Sequence, residues 1–121
     1  MKACMPRLTN LSDEAVKLIA ARFRVLGEPI RIRMLRALQD GEKSVSELVA
    51  IVGSAQPNVS KHLRVLEEHG FIGRRQVGNT VYCSIADPAV FDLCNAVCDS
   101  LKLRFADHAR IAAEFKGGRR R

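Results

Sequence analysis

Amide, hydroxyl and cationic side chains crowd one short stretch of this sequence, from Gln56 through Asn58, Ser60, Lys61 and His62 to Arg64, and a second polar cluster, Arg74, Arg75 and Gln76, follows it. Asparagine and glutamine can pair bidentately with adenine, and lysine can reach guanine O6 or N7. Hydroxyl and guanidinium groups such as those of Ser60 and Arg64 suit phosphate oxygens. The chemistry on offer is recognition of a polyanion with readable edges. Covalent catalysis would need a nucleophile beside a placed base, and the spacing supplies none. The remaining reactive groups are the thiols of Cys4, Cys83, Cys94 and Cys98. Cys94 and Cys98 are one helical turn apart, so both project from one helix face, and a third sulfur from Cys83 or Cys4 completes a site for a metalloid such as arsenite or a thiophilic metal ion. Both also lie on an apolar stripe, where free cysteine packs as a small hydrophobe, and the sequence leaves the two readings open. A direct Cys94 to Cys98 disulfide is disfavoured, because helix neighbours have Cβ atoms about 5 to 6 Å apart and a disulfide wants about 3.8 Å. Oxidation would distort the helix or bridge two subunits, either of which is a redox switch.

These groups need a scaffold, and the hydrophobic periodicity supplies one. Ser12, Asp13 and Glu14 form a helix start, followed by Val16, Leu18, Ile19, Phe23 and Leu26 at helical spacing up to Gly27. Pro29 opens a second helix with the stripe Ile30, Met34, Leu35 and Leu38, broken at Asp40 and Gly41. Ser44 to Glu47 fits a capping box for a short helix through Val52, and Gly53 offers the left-handed stop. Ser54 is expected to cap the next helix, whose inward residues are Val59, Leu63, Val65 and Leu66 and whose open face carries the candidate readers Gln56, Asn58, Ser60, Lys61 and His62. After Gly70, two strand-like runs flank Gly78 and Asn79, a hairpin signal with Arg74, Arg75 and Gln76 beside the turn. Asp87 and Pro88 start a last helix with the seam Val90, Cys94, Val97, Cys98, Leu101, Phe105, Ala112 and Phe115. So continuous a seam needs a partner, and the same helix of a second subunit would bury it symmetrically, which predicts a homodimer.

Composition agrees. A chain of 121 residues with 47% hydrophobic and 5% aromatic content builds one aliphatic core on helices, and the formal charge of +7 favours nucleic acid as partner. The expected layout is a flexible segment at 1–11, one mainly α domain with a small β-hairpin at 12–115, and a basic disordered tail at 116–121. Neither a membrane span nor a signal peptide is apparent, so a cytoplasmic protein with reduced thiols is expected.

The runs Arg24 to Arg31, Ser46 to Leu48 and Gln56 to Leu66, with Gly70 after them, resemble the ArsR/SmtB family of metal- and stress-responsive regulators. The resemblance implies a dimeric winged helix-turn-helix repressor that holds double-stranded operator DNA and releases it when an inducer alters the dimer. It requires no cofactor. The family often carries paired thiols in the first helix of the helix-turn-helix, but the corresponding positions here are Val49 and Ile51. Its zinc sensors use Asp and His of the last helix, where this chain offers Asp87, Asp92, Asp99, Asp107 and only His108, a poor match. A repressor responding to arsenite, a soft metal or an oxidant is thus the leading expectation. A constitutive or partner-regulated DNA-binding protein with cysteines that only pack is the alternative, and an architectural DNA binder would lack sequence preference.

Overall fold

The structure is a computed structural model that describes residues 8–105 and 113–114 of the chain. These fall into two units, one up to Ala86 and one from Asp87 onward. The N-terminal segment before Leu8 and the basic tail at 116–121 lie outside the described residues, as do Ala112, Phe115, Asp107 and His108.

The first unit begins with a 3-10 turn, Leu8–Asn10, followed by α1 (Asp13–Val25), α2 (Pro29–Leu38), β1 (Lys43–Ser44), α3 (Val45–Val52), α4 (Gln56–Glu68), β2 (Ile72–Val77) and β3 (Thr80–Ile85). Its boundaries follow local chemistry. The Ser12 side chain accepts from the Ala15 amide, and Pro29 sits in the first turn of α2, where a missing N–H costs nothing. Ser44 Oγ accepts from the Glu47 amide at 3.1 Å while Glu47 Oε1 accepts from the Ser44 amide at 2.8 Å, the reciprocal capping box that the spacing predicts. Gly53 ends α3 at φ 68°, a conformation that costs a side-chain-bearing residue energy and glycine almost none.

Three features differ from the sequence expectation. Ser54 is not the cap of α4: Ala55 holds that position without a side-chain bond, and Ser54 Oγ instead accepts from Asn58 Nδ2 at 2.8 Å. The hairpin is part of a three-stranded antiparallel sheet of order β1-β3-β2, because Lys43 and Ser44 pair with Cys83 and Tyr82. Two residues are too few to show a strand period, so this strand left no signal. The α1 stripe is helical but enters the core only at its C-terminal end, where Leu26 is buried beside Val25: Leu18 is 68% exposed and Phe23 54%, with Val16 and Ile19 also open. The core is built instead from Met34, Leu35 and Leu38 of α2, Leu48 and Val52 of α3, Val59, Leu63 and Leu66 of α4, and Phe71, Ile72 and Cys83 around the sheet.

The second unit carries α5 (Ala89–Arg104). Asp87 caps it as expected in kind, its Oδ1 accepting from the Ala89 amide at 3.1 Å, although Pro88 occupies the N-cap position itself. Val90 is buried, Cys94, Cys98, Leu101 and Phe105 are partly exposed, and Val97 is open. The expected stripe is therefore present on α5 as far as the helix is described.

Because Ser44 both ends β1 and caps α3, Ser44→Ala removes one bond of the box at a nearly buried position. A loss of about 1 kcal/mol in urea unfolding is expected, and a midpoint indistinguishable from that of the unsubstituted protein would show that the cap does not hold α3.

Candidate nucleic-acid interface

Helix α4 buries Val59, His62, Leu63 and Leu66, residues spaced i, i+3, i+4 and i+7, and thereby turns the rest of its circumference outward. Gln56, Asn58, Lys61 and Arg64 are exposed and Ser60 is partly so. The orientation is fixed from below by the α3 to α4 turn at Gly53 and from the side by Arg31 of α2. Arg31 Nε donates to the Val25 carbonyl at 2.6 Å, and Arg31 Nη1 donates to His62 Nδ1 at 2.9 Å.

That pair corrects the expectation for His62. Its side chain is turned inward and the residue is only 9% exposed, so it does not share the open face with the other candidate readers. Helical spacing accounts for this: 62 lies three after 59 and four before 66, whereas Val65, which the sequence places inward, is only partly buried. The Arg31 contact requires His62 to accept at Nδ1, which is the neutral ring with its proton on Nε2.

The hairpin reverses at Gly78 and Asn79. Gly78 has φ 60° and Asn79 does not have positive φ, the sign pattern of a type II′ turn, whose twist matches that of the strands it joins. Gln76 Nε2 donates to the Gly78 carbonyl at 3.1 Å, so this candidate braces the turn. Both wing arginines are paired. Arg74 Nε lies 2.9 Å from Glu67 Oε1 of α4. Arg75 places Nε and Nη2 at 2.7 and 2.9 Å from the two carboxylate oxygens of Glu42 and stands over the Tyr82 ring at 5.1 Å. Sequence reasoning found the arginines and missed both acidic partners, since Glu42 is 33 residues from Arg75 in a loop that no periodicity marks.

Between these elements runs an open cleft of about 490 Å³, with Val45, Ser46 and Val49 of α3 on one side, Gln56 and Ser60 of α4 on another, and Arg74, Asn79, Thr80 and Val81 of the hairpin opposite. It brings together the first turn of α4 and the wing. These are the two elements that place side chains at a groove and at the flanking backbone when a winged helix binds a duplex.

The thiols stand apart from this surface in character. Cys83 is wholly buried in β3, and burial pushes its thiol up from the ordinary value. Burial also pushes Cys94 up, with Cys98 beside it adding to the shift. A raised thiol is a poorer nucleophile at neutral pH. Among the described residues, no three or more His, Cys, Asp and Glu side chains are grouped to hold a metal ion, and Cys4 lies outside those residues.

A short capped helix, a left-handed turn, a second helix with a polar outer face and a hairpin define a winged helix-turn-helix. A family model described as bacterial regulatory protein, arsR family, matches residues 28–73. A transcriptional repressor SmtB homologue of Synechocystis is 34% identical over 102 residues, covering 84% of this chain and 76% of that protein. A probable mercury resistance operon repressor of Streptomyces lividans is 38% identical over 71 residues, 59% of this chain and 57% of that protein's length. The crystal structure of Rv0081 from Mycobacterium tuberculosis superposes with a TM-score of 0.73 at 34% identity, covering 81% of this chain and 99% of that one. The chain belongs to the bacterial ArsR family of transcriptional regulators, which are not enzymes. Among the described residues, no helix is long and apolar enough to cross a membrane.

Burial first, then the charges of Arg31 and Lys61, hold the His62 ring below its ordinary value against a smaller opposing pull from Glu28. The unfolded chain, with a histidine near pH ~6.5, therefore takes up a proton before the native state does. Stability from the neutral ring is complete above that pH, begins to be lost as pH falls past it, and is gone once pH has fallen past the depressed native value. His62→Gln, which keeps an acceptor for Arg31, should flatten the decline in unfolding free energy between about pH 7 and pH 5. Identical slopes for the two proteins would remove His62 from the acid response.

Proposed function

We propose that this chain acts as a homodimeric, sequence-specific repressor that sits on double-stranded operator DNA through α4 and the wing and leaves it when a thiophilic inducer reaches the last helix. The observation that carries the DNA reading is the exposed face of α4, with Gln56, Asn58, Ser60, Lys61 and Arg64, set across the cleft from Arg74. Gln56 and Asn58 supply base-edge chemistry, with Lys61 able to read guanine. Ser60, Arg64 and the wing residues Arg74, Arg75 and Gln76 set position and affinity on the backbone.

Two apolar faces support the dimer. Val16, Ile19 and Phe23 leave α1 open along one side, with Leu18 exposed next to them, and on α5 Val97 is open on the side that carries Cys94, Cys98 and Leu101. Contiguous exposed apolar residues at helical spacing mark an interaction surface, and a second copy offers the same faces in return. The inducer reading rests on the Cys94 and Cys98 pair, partly exposed on one helix, and on the mercury resistance operon named for one relative. A soft ion deprotonates the thiols it binds, so the raised Cys94 thiol lowers the affinity of such a site without abolishing it.

Binding of the reduced protein to DNA from upstream of its own gene, against random duplex and with or without arsenite, zinc, cadmium or peroxide, tests the whole reading. Preference for the upstream DNA that these agents abolish, and that survives them in the Cys94→Ser and Cys98→Ser variants, is the expected result. Preference that no agent alters would leave a regulator whose cysteines pack. Absence of any preference would refute sequence-specific repression. Separately, Lys61→Gln and Arg64→Gln should differ in kind. Loss of a phosphate contact at Arg64 weakens all sequences alike and lowers the salt slope by about 0.9, whereas loss of a base contact at Lys61 narrows the gap between specific and random DNA.

A further inference from the structure

The wing carries two arginines, each beside a carboxylate: Arg74 meets Glu67 through Nε, whereas Arg75 has two donors filled by Glu42. Glu42 stands at the base of the sheet, one residue before β1, and its two carboxylate oxygens take the Nε and Nη2 donors of Arg75 in a parallel fork. That fork is the same planar donor pair with which arginine grips a phosphate bidentately. Tyr82, opposite Arg75 in the strand register, supports the guanidinium face from beneath. The Arg75 side chain is nevertheless 59% exposed, so a phosphate oxygen can approach it. A carboxylate and a phosphate cannot occupy one fork at once.

We propose that Glu42 is an affinity-limiting residue of the DNA interface: its carboxylate fills the Arg75 donor fork in the unbound protein and must be exchanged for a backbone phosphate when the wing docks. The inference rests on the DNA-binding reading above and deepens it. The exchange costs the protein an ion pair whose geometry is bidentate and whose guanidinium is braced. It leaves a carboxylate beside the incoming polyanion, and both effects lower affinity. Glu42 is held well ionised by its bond to Arg75, so the competition operates throughout the neutral range. The wing is thus cationic in composition and close to neutral in effect until a duplex displaces the carboxylate.

The test is a double-mutant cycle read by binding to a short random-sequence duplex and to DNA from upstream of the gene, at low and moderate salt. Glu42→Gln should tighten binding about three- to tenfold at low salt, with the gain shrinking as salt screens it. In the Arg75→Gln background the gain should shrink to less than about twofold, the part that comes from removing a carboxylate near the polyanion, because the fork it releases is gone. Glu42→Gln that weakens binding, or leaves it unchanged, would overturn the proposal and make the pair a brace of the wing. An equal gain with and without Arg75 would also overturn it, since removal of any negative charge would then suffice. If the unsubstituted protein binds neither duplex, the DNA reading falls and this inference with it, whereas intact binding without coupling removes the inference alone. Glu42 and Arg75 are both at the surface, and matching thermal melts of the variants confirm that folding is unchanged.

Discussion

One guanidinium ties three helices together, and the surface presented by α4 depends on it. Arg31 sits in the first turns of α2, donates to the Val25 carbonyl at the end of α1, and donates to His62 on the inner face of α4. Arg31 Nη2 also lies 3.5 Å from the Arg24 carbonyl, so two carbonyls of the last α1 turn face one cation. The negative end of a helix favours a cation there. A planar group donates to a carbonyl and an imidazole from separate nitrogens held at a fixed spacing, a geometry that the single nitrogen of lysine does not reproduce. The arrangement holds while His62 stays neutral, and burial keeps it so. Rotation of α4 about its axis would break this bond and lift Val59, Leu63 and Leu66 from the core, so the outward set of Gln56, Asn58, Lys61 and Arg64 follows from what is held inside.

The electrostatic design of the surface is less generous than the net charge of +7 suggests. Cations on the wing are matched locally by Glu42 and Glu67, and Arg22 is spent on the His69 carbonyl at 2.9 Å and on the Phe71 ring at 4.1 Å. A basic composition attracts a polyanion at long range, where the sum of charges matters. At contact the individual pairs matter, and a paired arginine brings its carboxylate with it.

How much of this was legible depends on the range of the interaction. The capping box at Ser44 and Glu47, the left-handed Gly53, the proline in the first turn of α2 and the hairpin turn at Gly78 are settled within a few residues, and the residue types announce them. His62 goes inward while its polar neighbours go outward; its spacing from Val59 and Leu66 carries that placement and its side-chain type does not. Ser54 was a sound cap by type, but the helix starts one residue later and the hydroxyl bonds Asn58. The contacts from Glu42 to Arg75 and from Arg31 to His62 span 33 and 31 residues, and nothing in a local pattern encodes which acid or imidazole a distant arginine will meet. The open face of α1 is a different case. Its periodicity marks an apolar stripe on a helix, but periodicity cannot say whether anything in the same chain covers it.

That last distinction bears on how a regulator of this build could respond to a signal. If a second copy covers the α1 stripe, the helix whose C-terminal carbonyls Arg31 reads is also the helix that the dimer holds. A shift of α1 at the interface would then be felt at the Val25 carbonyl, passed through one rigid guanidinium, and delivered to His62 on the back of α4. Packed helices tolerate small displacements poorly and settle into alternative arrangements instead of deforming smoothly. A change of dimer geometry and a change in the angle of the reading helix would be one event. The Arg31 contact would be the physical link between them, with no separate relay required.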